Sequence, residues 1–289
     1  MASKKVTGNC GHGSKFFCSR CRLPRISIHN LQPATWPRPL TRTEHEAFAN
    51  AWKASPSKNS QAKHLKLYGI RWSALLLLSY WQPAAWTITE AVHVILLGLI
   101  PRHCRDLLGL NMKDLPTEEE AVEEVGIRDT KRPSWQAGLP LNFGCPEHGK
   151  LKADQWRTVM EFDLPVSLIQ LKATRKSSGN VQEDEHLQKV VDATLDLAMA
   201  IAWGLSRRTS AHHAERYQFY MQRYLTSIIL VFPNYKLKPN HHYALHIPDI
   251  LLAFGPLHGT WAFSMERIIG RLQSLNSNSK IGAWIWTFY

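Results

Sequence analysis

Apolar residues recur at helical spacing along most of this chain, and strand-like alternation is weak throughout. In TRTEHEAFANAWKA, Phe48 and Trp52 stand four apart behind Thr41 and Glu44, a capping-box pair. Pro56 ends that helix, and a second, from about Lys58 to Tyr68, stops at Gly69. Residues 70–110 are the most apolar. IRWSALLLLSYWQPAAW ends in a turn at Pro83, and ITEAVHVILLGLIPRHCRDLLGL predicts a buried helix kinked near Pro101. Residues 150–171 predict a helix interrupted at Pro165. Two long helices follow: His186–Leu205, with Val190, Leu197 and Ile201 on one side, and Ala211–Phe232, where Tyr217, Tyr220 and Tyr224 favour packing over base stacking. A last, half-buried helix lies in WAFSMERIIGRLQSL, with Phe263, Ile269 and Leu272 on one face. Between them, residues 113–148 and 174–186 read as polar, Pro- and Gly-containing connectors. The fold class is mainly α.

Composition narrows the partners. With 289 residues, 44% of them apolar, and 11 tryptophans, the chain can bury a sizeable core. Its net charge of +12 favours a polyanion, nucleic acid first; a basic surface with no dedicated partner is the plainer alternative. MASKKVTGNCGHG lacks the apolar core of a secretory signal, and the longest apolar runs, Ala74–Leu78 and Val94–Ile100, are too short to span a membrane. Five cysteines, three of them in the first 21 residues, suit an intracellular thiol or metal protein.

Candidate chemistry gathers at the two ends. Cys18-Ser-Arg-Cys21 lets two thiolates reach one Zn²⁺ from a tight turn, and Cys10 and His12 are the expected further ligands; free thiols in a basic loop are the alternative. Lys15, Arg20, Arg22 and Arg25 would favour the thiolates. Glu266 is the carboxylate of the last helix, followed by Arg267, Arg271 and Lys280, and preceded by His241, His242, His246 and His258. That pattern suits metal-assisted phosphate chemistry or a structural ion pair. Glu90 and His93 share a helical face, with a core histidine as the plainer reading, and Arg102 and Arg105 form a basic surface beyond them. Walker, dinucleotide and nucleophile-elbow motifs are absent from the sequence.

Several strings occur together and in order: FCSRC, AWKASPSK, YGIRWSALLLLSYWQPAAWTI, AVHVILLGLIPRHCRDLLGL, HGKLKADQWRTVMEFDLPVSLIQL, KPNHHYALHIPDILLAFGP and MERIIGRLQSLNSNSKIG. In these the chain resembles, from about Cys18 to Gly282, the C-terminal half of CACTA-like (Plavaka-type) DNA transposases of fungi. The resemblance implies a helical insertion domain plus the C-terminal acidic helix of an interrupted RNase H-like core, with an N-terminal zinc-knuckle-like segment. It implies nuclear DNA transposition, in which three carboxylates hold two Mg²⁺ ions. Glu266 matches the last of the three, and Glu90 and His93 match an Asp-x-x-His-Asn string in which Glu90 replaces Asp and Val94 replaces Asn. The first two aspartates would lie ahead of the cysteine pair.

The expected organisation is a basic Cys/His segment at 1–40, a helical region at 41–110, a loop connector at 111–149, a second helical region at 150–282, and an apolar tail at 283–289. The leading expectation is a truncated transposase remnant that binds DNA through Arg20, Arg22, Arg25, Arg102, Arg105, Arg267, Arg271 and Lys280 and is catalytically incomplete. One alternative is a Mg²⁺-dependent nuclease in which Asp154, Asp163 or Asp249 converges on Glu266. Another is a non-catalytic interaction protein that self-associates through its helices.

Overall fold

The computed structural model describes residues 2–109, 151–174 and 179–274. Among them the architecture is helical; β structure is limited to one isolated antiparallel bridge, Asn9 with Ile70. The chain runs through α1 (Ala2–Val6), α2 (Arg42–Lys53), α3 (Lys58–Tyr68) and α4 (Pro83–Trp86). It continues in α5, which joins a π-helical Val92–Leu99, an α-helical Ile100–Arg102 and a π-helical His103–Leu107. Next come α6 (Ala153–Thr158, a π turn over Val159–Asp163, then Leu164–Thr174), α7 (Val181–Gly204) and α8 (Ala211–Val231). Last are α9 (Pro239–Ala244), α10 (Ile247–Phe254) and α11 (Phe263–Ser274).

The α2–α3 pair follows the sequence closely. Thr41 Oγ1 accepts from the Glu44 amide at 3.2 Å, and Glu44 Oε2 accepts from the Thr41 amide at 2.8 Å. Gly69 ends α3 at φ 76°, and a Cβ there would lie 3.2 Å from Cys10 Sγ. Of the two prolines, Pro165 behaves differently from expectation. α5 runs through Pro101, and α6 runs through Pro165 without interruption. In both, a π turn stands immediately ahead, and this wider turn accommodates the ring and the missing N–H that would break an α-helical register. α7 begins at Val181, so the polar stretch expected as loop supplies its first turns, capped by Asn180.

α7 and α8 form an antiparallel hairpin. Its rungs are Trp203 on His213, Asp196 on Arg223, and His186 on Phe232. Tyr217 and Tyr224 are fully buried in it, which settles the tyrosine stripe as packing. One continuous core joins this hairpin to α5, α6, α9 and α10, and also takes in Phe17, Cys18, Cys21 and Leu23 from the N-terminal segment. A smaller cluster of Ala49, Ile70 and Leu76 lies under α2. Gly98 lets α9 approach α5: a Cβ there would fall 2.0 Å from Asn240 Nδ2, so Gly98 fixes how close the histidine-bearing helix comes. The expected tail at 283–289 and the connector at 111–149 lie outside the described residues.

Candidate metal centre

Two short segments, far apart in sequence, meet inside the core. Cys18 and Cys21 lie in the turn after Phe17, and the Arg20 amide donates to Cys18 Sγ at 3.4 Å. The opposite wall is the corner between α9 and α10. Pro239 at the first position of α9 and Pro248 at the second position of α10 start two short helices back to back, and His242 and His246 fall four residues apart across the corner. Leu245 and His246 keep right-handed helical backbone, so both rings face the same way.

The four donor atoms converge. Cys18 Sγ stands 3.3 Å from His246 Nε2, Cys21 Sγ stands 3.3 Å from His242 Nε2, and the two Nε2 atoms are 3.2 Å apart. All four lie within 4.8 Å of one another, and each residue is buried. A tetrahedral Zn²⁺ with Zn–S near 2.3 Å and Zn–N near 2.0 Å requires donor separations of about 3.3–3.8 Å, so the set fits a metal ion of that size with little movement. Four protein ligands leave no open position, which makes this a closed, structural type of centre.

The surroundings hold the rings in place. Trp36 packs on His242 at 4.3 Å and on His246 at 5.0 Å between ring centres, and Phe17 meets His242 edge-on at 4.8 Å. Tyr243 donates its hydroxyl to the Phe17 carbonyl at 2.8 Å, and Lys4 donates to that carbonyl and to Tyr243 Oη. Asp249 Oδ2 lies 3.7 Å from His246 Nδ1, the position from which a carboxylate orients a ligating histidine.

Electrostatics prepare the thiols. Burial opposes ionisation of Cys18, yet hydrogen bonds from Cys21, His242 and His246 hold its thiol well below its ordinary value. Cys21 is pushed up, first by its hydrogen bond to Cys18 and then by burial, so the pair keeps one proton between its sulfurs. Burial lowers His242 against the pull of Cys18, while His246 is raised, despite burial, by Asp249 and Cys18. A bound cation would displace the remaining proton, as thiolate ligation requires.

The remaining expected residues fall elsewhere. Cys10 is buried, but its thiol donates to the Phe16 carbonyl at 2.7 Å, and His12 is exposed; both stand outside the four-donor cluster. The donors that take their place are His242 and His246, which the sequence sets ahead of Glu266 and far from the cysteines. Their His-x-x-x-His spacing beside a Cys-x-x-Cys was a legible Cys₂His₂ signal, hidden by a separation of 221 residues between Cys21 and His242. His241, by contrast, is turned away, against the Lys238 backbone and Tyr235. Glu90 caps α5: its carboxylate accepts from the amides of Val92 and His93 at 3.0 and 2.8 Å and pairs with His93 Nδ1 at 2.6 Å. It also reaches the Ala262 amide at 3.4 Å, just ahead of α11. Glu266 lies in α11 with its side chain outside the described part, and Lys280 lies outside the described residues. Ile269 and Leu272 are exposed, so the face expected to be half-buried is open.

Most of the expected arginines are occupied within the fold. Arg20 donates to the Ala85 carbonyl and Arg22 to the Tyr68 carbonyl, both at 2.9 Å, and Arg25 donates to the His12 carbonyl at 3.1 Å. Arg102 faces Asp106 at 3.7 Å, and Arg105 lies 5.6 Å over the Trp156 ring. Arg267 and Arg271 are exposed on α11. Asp249 stands at the rim of the metal centre, and Asp163 is buried in the π turn of α6. Among the described residues, the Cys18–Cys21–His242–His246 set is the one group of three or more such donors. No described helix is long and apolar enough to cross a membrane.

Fold and site together define a helical protein with a buried Cys₂His₂ cluster that could hold a metal ion. No family model matches the chain, and no curated protein matches it.

Proposed function

We propose that this is a transposase-derived, DNA-binding protein whose helical body is locked by one structural Zn²⁺ held by Cys18, Cys21, His242 and His246. The observation that carries this reading is the meeting of Cys-x-x-Cys with His-x-x-x-His in one buried cluster. These two motifs belong to FCSRC and KPNHHYALHIPDILLAFGP, two of the strings on which the transposase resemblance rests. Two thiols and two imidazoles in a closed set select Zn²⁺ over Mg²⁺, which prefers oxygen ligands and keeps its waters. The net charge of +12 supports the DNA partner.

The test has two arms. Elemental analysis of purified protein should find one zinc per chain, and Cys21→Ser should lose it. Filter binding of duplex DNA across a salt series should give a steep negative slope of log affinity on log salt, because phosphate contacts release counterions. Absence of stoichiometric zinc overturns the centre, and a flat salt slope overturns the DNA partner.

A further inference from the structure

The charge of the chain is concentrated at one end. Residues 1–72 contain 13 Lys and Arg against two Asp and Glu, whereas the other 217 residues are nearly balanced, with 22 against 21. The two acidic residues of that first part are neutralised locally: Glu44 pairs with Arg38 at 2.6 Å, and Glu46 pairs with Arg42 at 2.7 Å. Arg42 also donates to the carbonyls of Leu76, Leu78, Ser79 and Trp81, so it is a structural brace. Arg20, Arg22 and Arg25 are tied to carbonyls as described above. What remains for a partner is Arg71 and a set of lysines.

Three of these lie on α3. At 100° per residue, Lys58, Asn59, Ala62, Lys63 and Lys66 fall within one half of the helix circumference, and all five are exposed. Ser60, Gln61, His64, Leu65 and Tyr68 occupy the other half and turn toward the protein, with His64 and Tyr68 in ring contact and Phe48 stacked on Tyr68 at 4.7 Å. The outward half therefore carries three ammonium groups over about 12 Å of helix, without a carboxylate on α3 to oppose them. Ala62 at the middle of the face leaves the backbone approachable, and Asn59 adds a side chain of the kind that pairs with adenine edges. α3 is joined to α2 by four residues, 54–57, and Ser57 caps it by accepting from the Ser60 amide at 3.1 Å. A short turn between two helices, the second presented outward, is the arrangement in which a helix is laid into the major groove.

We infer that the outward face of α3, with Lys58, Lys63 and Lys66 as phosphate contacts, is the surface that docks on duplex DNA. This rests on the DNA-binding reading above and moves the contact from the arginines to this helix. Lysine acts here as a point charge on a flexible stem, suited to phosphate contact across sequences.

The experiment measures anisotropy of a short labelled duplex with the full-length, zinc-loaded chain from low to high KCl. It compares the unchanged protein with Lys58→Gln/Lys63→Gln/Lys66→Gln and with Arg267→Gln/Arg271→Gln. These side chains are all exposed, and circular dichroism checks that helix content is kept. The triple lysine variant should lower the magnitude of the salt slope by about 2–3, at roughly 0.9 per lost phosphate contact, and the arginine variant should change it by less than one. A folded triple variant with unchanged slope and affinity overturns the placement on α3 while leaving the DNA reading intact. An unchanged protein with a flat slope overturns the DNA reading and this inference with it. Stronger competition by single-stranded oligonucleotide or polyglutamate than by unlabelled duplex would overturn duplex DNA as the occupant.

Discussion

Two buried histidine clusters in the same core show what separates a ligand set from a polar strut. In the metal centre, His242 and His246 turn Nε2 toward each other and toward two thiols. At the α5–α7–α8 junction, His103 places Nδ1 3.2 Å from Tyr224 Oη and Nε2 2.9 Å from Thr194 Oγ1, and Thr194 donates onward to the Val190 carbonyl at 2.8 Å. Both rings of the first cluster and the ring of the second are buried. The difference lies in the neighbours: hydroxyls engage both nitrogens of His103 and leave it no lone pair for a metal. At the centre, four lone pairs point to one space. Burial alone therefore says little about a histidine; the chemistry of what faces its two nitrogens decides.

Removing metal should have the largest effect and should separate the two clusters. Chelation, or Cys21→Ser, should lower unfolding stability by about 3 kcal/mol or more, because binding free energy at a structural zinc site is folding free energy. Tyr224→Phe should keep full zinc content. Urea unfolding with and without chelator measures the first, and elemental analysis the second. Equal stability with and without chelator would mean that the core, not the metal, joins the two segments.

The next effect belongs to His103. Burial, and then the nearby His241, push its pKa down to about 3 from 6.5. Between those values the unfolded chain binds a proton that the folded chain refuses. The stability tied to neutral His103 is thus present above pH 6.5 and is lost as pH falls toward 3, at up to about 1.4 kcal/mol per pH unit. Urea midpoints from pH 7 to 5 should fall less steeply for His103→Gln than for the unchanged protein. Identical slopes would place His103 in contact with water.

The smallest effect tests the rim of the centre. Asp249→Asn should weaken zinc affinity by about tenfold, the low end for an outer carboxylate, since Asp249 is largely exposed. Competition against a fluorescent chelator measures it, and unchanged affinity would reduce Asp249 to a surface residue.

The helices were largely legible in the sequence, because period, caps and stop residues are local properties. Thr41 with Glu44, and Gly69 after Tyr68, behave as their chemistry dictates. Pro165 misled, since a π turn one step upstream is not written in composition. Half of the metal site was visible, in Cys18 and Cys21. Cys10 and His12 are donors close to that pair along the chain. The actual partners depend on a tertiary meeting of segments more than two hundred residues apart, which only helix packing, with Gly98 admitting Asn240, brings about.

That separation has a consequence for how the molecule is born. At synthesis rates of about 5–20 residues per second, Cys18 and Cys21 are made roughly 10–45 s before His242 and His246. Until then the turn they occupy can hold a cation by two donors at most, and its four-donor grip forms only after α10 has emerged. If the four donors hold a cation, a product arrested before residue 246 should keep the thiols of Cys18 and Cys21 accessible to thiol-reactive probes.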